Sequence, residues 1–425
     1  MKLFLIILLQ GILMSATVKE IKINNTSVPI IFEKHKTLPI FNLQLVFKNS
    51  GYINDGEKSG LASLTAKLLN EGTSKDGAIK FARQLENKAI SIHTTNGLET
   101  FVIEVSCLKS EMDTALKLLK KLLEDPNVTD KTLAKLKNLQ ISKLKQKEND
   151  FDHQAKLQLK KIVFKGTPLE NSSSGNVKSI ESIKLKDIKV NMKNIFNLDN
   201  LIVVAGGDVI VKEIKSSIKP ILKNFKALGS KELKTIKVNS KVQTKLKKKE
   251  TEQAYIYFAS DFDIDYKSKE SYKAKVASFI LGGSGFGSRL MEEIRVKQGL
   301  AYSAYGYIST AKSHSYFTGY LQTKLENQEK AKKLVGKLVS EFVKDGVTKK
   351  ELESAKKFLL GSEPLRTETF SQRQGRAFNL YYKGLSFDYP KQELELIQNL
   401  ELDELNKFIK KHKEMANLSY SIITK

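Results

Sequence analysis

The chain of 425 residues contains one cysteine, five histidines, seven prolines and no tryptophan. The single cysteine, Cys107, has no partner for an internal disulfide, and its place in an apolar strand-like run reads as inert core. The histidines are scattered. His35, His93, His153, His314 and His412 lie at least 58 residues apart, so no two share a helical turn and they read as ordinary surface or core residues. With 24 glycines beside the seven prolines, the chain is neither collagen-like nor of low complexity. No segment beyond residue 16 is apolar enough to span a bilayer, so no stable membrane span is expected.

Basic residues are abundant: 72 Lys and Arg against 47 Asp and Glu give a net charge of +25. A field of that size can attract nucleic acid or acidic surfaces. The lysines, however, are spread along helical stretches, for example Lys117, Lys120, Lys121, Lys135 and Lys137, without the aromatic interleaving of a base-stacking platform. A solvated basic surface is therefore expected, with no nucleic-acid partner. The hydrophobic content of 40% and the length suffice for more than one core.

Residues 1–16 carry one Lys, then a mainly apolar run, then Ser15 and Ala16. This is the layout of a cleaved signal peptide, too short for a membrane anchor, and it predicts an exported protein, periplasmic or secreted. No cysteine follows to take a lipid.

Phe41, Leu43, Leu45 and Phe47 alternate, as do Phe101, Ile103 and Val105, and both runs predict half-buried strands. Helical periodicity marks Gly60–Asn70, where Leu61, Leu64 and Leu68 form an apolar stripe, and two long helices are predicted from Ser110 to Glu124 and from Asp130 to Glu148. The run Asn200–Asp208 reads as a buried strand ended by glycines. Between Phe225 and Glu250 the pattern dissolves into a Lys-rich stretch, a linker. A similar order of strands and helices then recurs. The chain is thus expected to be α+β, two homologous α/β-roll domains with antiparallel-rich sheets and helices on one face. Their spans are 17–225 and 251–425, joined by the linker 226–250.

Three segments carry a resemblance. They are Gly-Leu-Ala-x-Leu-x-x-x-Leu-Leu-x-x-Gly-Thr at Gly60–Thr73, the Asp199–Asp208 run, and Leu281-Gly282-Gly283-Ser284-Gly285-Phe286-Gly287-Ser288-Arg289-Leu290 continuing through Ile294-Arg295 to Gly299-Leu300-Ala301-Tyr302-Ser303. Together they are similar to the pitrilysin-like zinc peptidases, which include mitochondrial processing peptidase and insulin-degrading enzyme. In that family the first helix carries H-x-x-E-H, two imidazoles for Zn²⁺ and a Glu as general base. The matching positions here are Ser63, Ala66 and Lys67. None can do that work: Ser63 is a poor ligand, Ala66 accepts no proton, and the Lys67 ammonium repels a dication. The third ligand, a Glu farther along, falls near Ser142 to Leu144, where no acid stands.

Arg295 and Tyr302 match the pair that, by the resemblance, holds the substrate backbone beside the scissile bond and would act in trans with a partner. Read on spacing alone, Arg295 is a surface ion-pair partner of an acid such as Glu292, and Tyr302 a half-buried strand aromatic. The glycine loop, Gly282, Gly283, Gly285 and Gly287, lacks the pattern of a phosphate cradle. It either touches substrate peptide, as the resemblance to a non-catalytic subunit implies, or is a plain turn between helices. The resemblance implies a zinc-less, substrate-binding subunit of a heterodimeric exported peptidase. This chain would hold no cofactor, a catalytic partner with an intact H-x-x-E-H would hold the zinc, and the substrates would be unfolded or short peptides. The alternative is an inert structural member of the same family.

Overall fold

The computed structural model describes residues 16–230 and 232–425. The expected signal peptide lies outside the described residues except for Ala16. The chain forms two compact units, each discontinuous in sequence. The first takes the chain up to Leu144, Ser172–Glu232 and Arg366–Tyr382; the second takes Lys145–Asn171, Leu233–Leu365 and Lys383–Lys425.

Six strands build the first unit: β1 (Thr17–Ile23), β2 (Thr26–Lys34), β3 (Ile40–Lys48), β4 (Ser91–Asn96), β5 (Thr100–Leu108) and β6 (Leu201–Gly207). Their order is β1-β2-β6-β3-β5-β4, with β2 and β6 parallel and every other pair antiparallel. Asn24 and Asn25, both at positive φ, close the first hairpin, in the left-handed conformation that a two-residue turn demands and Asn tolerates. In β3 the residues Phe41, Leu43, Leu45 and Phe47 are buried on one face, as the alternation predicts. β6 is buried along its whole length, which accounts for its unbroken apolar run. Gly207 ends it at φ 121°, where a Cβ would lie 2.0 Å from the Ile40 carbonyl oxygen, so only glycine fits.

Helices Leu61–Leu69, Met112–Glu124 and Val211–Leu222 pack onto that sheet with Leu64, Leu68, Leu116, Leu119, Ile214 and Ile218 in one core. One further helix, Phe370–Lys383, meets residues of the opposite face. Gln374 Oε1 accepts from Asn42 Nδ2 at 3.4 Å, and Arg373 Nε donates to the buried Glu33 at 2.6 Å.

The second unit has five strands: β7 (Thr244–Lys248), β8 (Gln253–Asp261), β9 (Ala301–Thr310), β10 (Ser315–Lys324) and β11 (Ser419–Thr424), in the order β7-β11-β8-β10-β9. Here β7 and β11 are parallel and the remaining pairs antiparallel. Read from the parallel pair, β2-β6-β3-β5-β4 and β7-β11-β8-β10-β9 have the same order and sense; β1 is the addition in the first unit. The core again lies on one face, under Phe258, Phe317, Leu321 and the helix Gln328–Asp345 with Val335, Val339 and Phe342. The helix Phe151–Val163 serves the other face, where the Tyr257 hydroxyl donates to Asp152 at 2.9 Å.

The Lys-rich stretch 226–250, expected to be a linker, contains β7, an edge strand with every side chain exposed. Its backbone pairs with β11 while Lys245, Lys247 and Lys248 stand in water, so the side chains give no alternation to read. Lysine on an edge also discourages pairing with another chain.

Candidate functional site

The helix Leu61–Leu69 is started by Gly60 at φ 96° and capped by Asp55, whose carboxylate accepts from the N–H groups of Gly60 (2.8 Å) and Ala62 (2.9 Å). Burial pushes the Asp55 carboxyl up to about 6, against the opposing pull of those helix N–H groups. Leu64 and Leu68 turn into the core. That leaves Ser63 and Lys67 half-buried, one turn apart on the same face, with Ala66 buried beside them.

Lys67 Nζ donates to Gln140 Oε1. Gln140 belongs to the helix Asp130–Gln146, where Thr132, Leu133, Leu136 and Gln140 are the buried residues, and it is 3% exposed. Its own Nε2 donates to the Ser174 carbonyl at 3.0 Å. The expected position for a third ligand, near Ser142 to Leu144, is thereby corrected: Ser142 and Lys143 face solvent, and the side chain that meets the motif helix is Gln140. It follows the periodicity of Leu133 and Leu136, so a glutamine in register with a buried apolar stripe was the signal available.

This donor set does not fit zinc. It offers a hydroxyl, a methyl, an ammonium and a neutral amide, where the ion needs imidazole or carboxylate lone pairs. The histidines do other work. His35 stacks on Phe370 at 5.0 Å, His412 stacks on Phe262 at 4.2 Å and bonds Glu414, and His314 packs edge-on to Phe164. Among the described residues no group of three His, Cys, Asp or Glu could hold a metal ion. Cys107 is buried in β5, and burial pushes its thiol up to about 11, which keeps it unreactive.

In the second unit, Arg295 lies in a π-helical turn, Glu292–Lys297, and Tyr302 is the second residue of β9. Gly299 at φ 60° reverses the chain between them, its N–H bonded to the Arg295 carbonyl at 3.0 Å. The guanidinium carbon of Arg295 lies 4.5 Å from the centre of the Tyr302 ring and 4.7 Å from that of Phe286. Both rings are exposed, Tyr302 at 81% and Phe286 at 68%. Glu293 pairs with Lys297 at 2.6 Å, whereas no acid among the described residues pairs with Arg295. Tyr302 is thus not half-buried, and Arg295 forms no ion pair with Glu292. The neighbouring Arg289 behaves otherwise: it forks onto Glu351 at 2.8 and 2.9 Å and reaches the Gly346 carbonyl at 3.0 Å. One arginine of the motif is therefore an internal brace, and the other, half-buried against its two rings, forms no ion pair among the described residues.

The four glycines divide in the same way. A Cβ on Gly282 would lie 2.5 Å from the Gly306 nitrogen of β9, and one on Gly283 would lie 2.9 Å from the Ser278 carbonyl oxygen. Both are needed for close packing. Gly285 (φ 68°) and Gly287 (φ 86°) have no such crowding and supply the left-handed turns on either side of Phe286. The stacked Phe286 was not singled out by the sequence reading; an aromatic between two glycines in a loop was its only trace.

A duplicated α+β fold with the zinc-motif helix in the first unit and the Arg–Tyr pair in the second defines a peptidase scaffold without its metal ligands. Comparison with known proteins gives the same class. Residues 30–176 match "Insulinase (Peptidase family M16)" and residues 182–359 match "Peptidase M16 inactive domain". The chain is 43% identical to "Non-peptidase homolog YmxG" of Helicobacter pylori over 428 residues, 100% of this chain and 99% of that one. It is 23% identical to "Uncharacterized zinc protease YmxG" of Bacillus subtilis, over 82% of this chain and 84% of that one. Among solved structures it is similar to a peptidase M16 inactive domain from Pseudomonas fluorescens, with TM-score 0.86 and 24% identity, covering 96% of this chain and 98% of that chain. The chain belongs to peptidase family M16.

Proposed function

We propose that this chain is the zinc-less, substrate-binding subunit of an exported two-chain peptidase. A family partner with an intact H-x-x-E-H would supply zinc and general base. The observation that carries this reading is Arg295: an arginine with no acidic partner among the described residues, set against two exposed aromatic rings, in a chain whose zinc-motif positions carry Ser63, Ala66 and Lys67. A structural arginine is satisfied internally, as Arg289 is; a substrate-binding arginine keeps its donors for a carbonyl that arrives from outside. Tyr302 adds a phenol beside it. Export rests on the sequence of residues 1–16.

A scaffold role is the second reading, favoured by one observation: the Lys67–Gln140–Ser174 chain replaces metal ligands with internal hydrogen bonds. Co-purification from the native host distinguishes the two. The enzymatic reading expects a bound chain of this family carrying H-x-x-E-H and a complex that hydrolyses unfolded peptides. A complex devoid of hydrolysis, or a partner without that motif, supports the scaffold.

A further inference from the structure

Resting on the reading of Arg295 as a peptide-binding group, we infer that Phe286 is the positioning residue that holds this guanidinium for its ligand. Among the described residues no carboxylate pairs with Arg295, and its side-chain restraints are two rings, at 4.5 Å and 4.7 Å. A guanidinium covered by aromatic rings keeps its in-plane N–H groups open, and those are the groups that take a peptide carbonyl or carboxylate oxygen. Stacking also removes rotamer freedom before the ligand arrives, so less is lost on binding.

The loop is shaped for this placement. Gly285 and Gly287 flank Phe286 in left-handed conformations; a Cβ would meet only Tyr305, at an ordinary 3.6 Å, from Gly285 and open space at Gly287, so the backbone is bent there for the sake of the loop's path and not through crowding. Gly282 and Gly283 pin the start of the same loop to β9 and to the preceding helix. Phe286 therefore sits on a fixed base with its ring in solvent, 68% exposed, and Arg295 as its cationic contact. A solvent-facing phenylalanine adds little to the core, and its contact with the arginine is where its effect must be found.

A double-mutant cycle on the full chain tests this, with fluorescently labelled oxidised insulin B chain as the unfolded-peptide probe and anisotropy as readout. Phe286→Ala should weaken binding by roughly 3- to 10-fold, the range of one exposed cation–π contact amplified by lost ordering. Phe286→Tyr should restore it to within about 2-fold. In an Arg295→Ala background, Phe286→Ala should cost nothing further, because its effect passes through the arginine. The chain has no Trp, so Phe286→Trp places a sole indole in the stack, and its emission should change as peptide binds. An equal loss from Phe286→Ala with and without Arg295, or no loss while Arg295→Ala is damaging, overturns this inference alone. If Arg295→Ala is silent, or no variant binds peptide, the functional reading of Arg295 falls as well.

Discussion

Lys67 and Gln140 are joined by a hydrogen bond between an ammonium and a buried amide oxygen, on the helix where the resemblance to the zinc peptidases expects the metal motif. The bond ties the helix Leu61–Leu69 to the helix Asp130–Gln146, and Gln140 extends the tie to the Ser174 carbonyl. A metal ion would draw the same helices together. Lys67→Met removes the donor and leaves the Gln140 oxygen buried and short of a partner, which should destabilise the chain by about 1–3 kcal/mol. Urea unfolding of the two proteins measures it; an unchanged midpoint means the bond contributes nothing.

The same geometry predicts what it takes to bring the metal back. The combined variant Ser63→His, Ala66→Glu, Lys67→His and Gln140→Glu supplies two imidazoles one turn apart, a base and a facing carboxylate. It should bind zinc stoichiometrically and gain stability with added zinc, about 2.7 kcal/mol at a hundredfold excess over Kd. Metal analysis after dialysis and a thermal melt check this. Failure to bind would show that Gln140 does not face the motif helix as a ligand must.

Acid stability should depend on Asp76. Its side chain is 2% exposed and is held by Lys121, by Lys80 at 3.2 Å and by Gln84 at 3.1 Å. The hydrogen bond from Lys121 foremost, against the opposing effect of burial, keeps this carboxyl well below the usual range. A depressed carboxyl contributes stability above its unfolded pKa and loses that contribution as pH falls through the folded one. Asp76→Asn should therefore be less stable at neutral pH, and the gap to wild type should shrink below about pH 4. Thermal melts across that range show it, and a gap independent of pH contradicts it.

In the proposed two-chain enzyme, Arg295→Ala and Tyr302→Phe should each lower turnover by about 10- to 1,000-fold while leaving assembly intact, the scale of one lost oxyanion or positioning contact. Steady-state kinetics beside size-exclusion chromatography separate the two effects. Full turnover in both variants removes the pair from the site.

Much of the fold was legible because its elements obey simple periods. β3 and β5 alternate, the stripe Leu61, Leu64 and Leu68 marks a helix, and β6 is an unbroken apolar run because it lies between β2 and β3. β7 escaped because an all-exposed edge strand is held by its backbone alone. The two helices on the opposite faces, Phe151–Val163 and Phe370–Lys383, each pack in the unit formed mostly by the other half of the chain, and local pattern holds no record of that exchange. At the site, lost ligands could be read by residue type. The stack of Phe286 on Arg295 depends on a π-helical turn and three left-handed glycines, whose combined geometry spacing does not reveal.

The proposed function is that of a chain that contributes to hydrolysis only in company. The decisive measurement is zinc content and peptide cleavage for the purified chain, for its family partner, and for the two recombined. Cleavage by the pair that is abolished by chelator, beside a chain that alone carries no stoichiometric zinc and cuts nothing, is the predicted result. About one zinc per chain with chelator-sensitive hydrolysis by this protein unaided would contradict it.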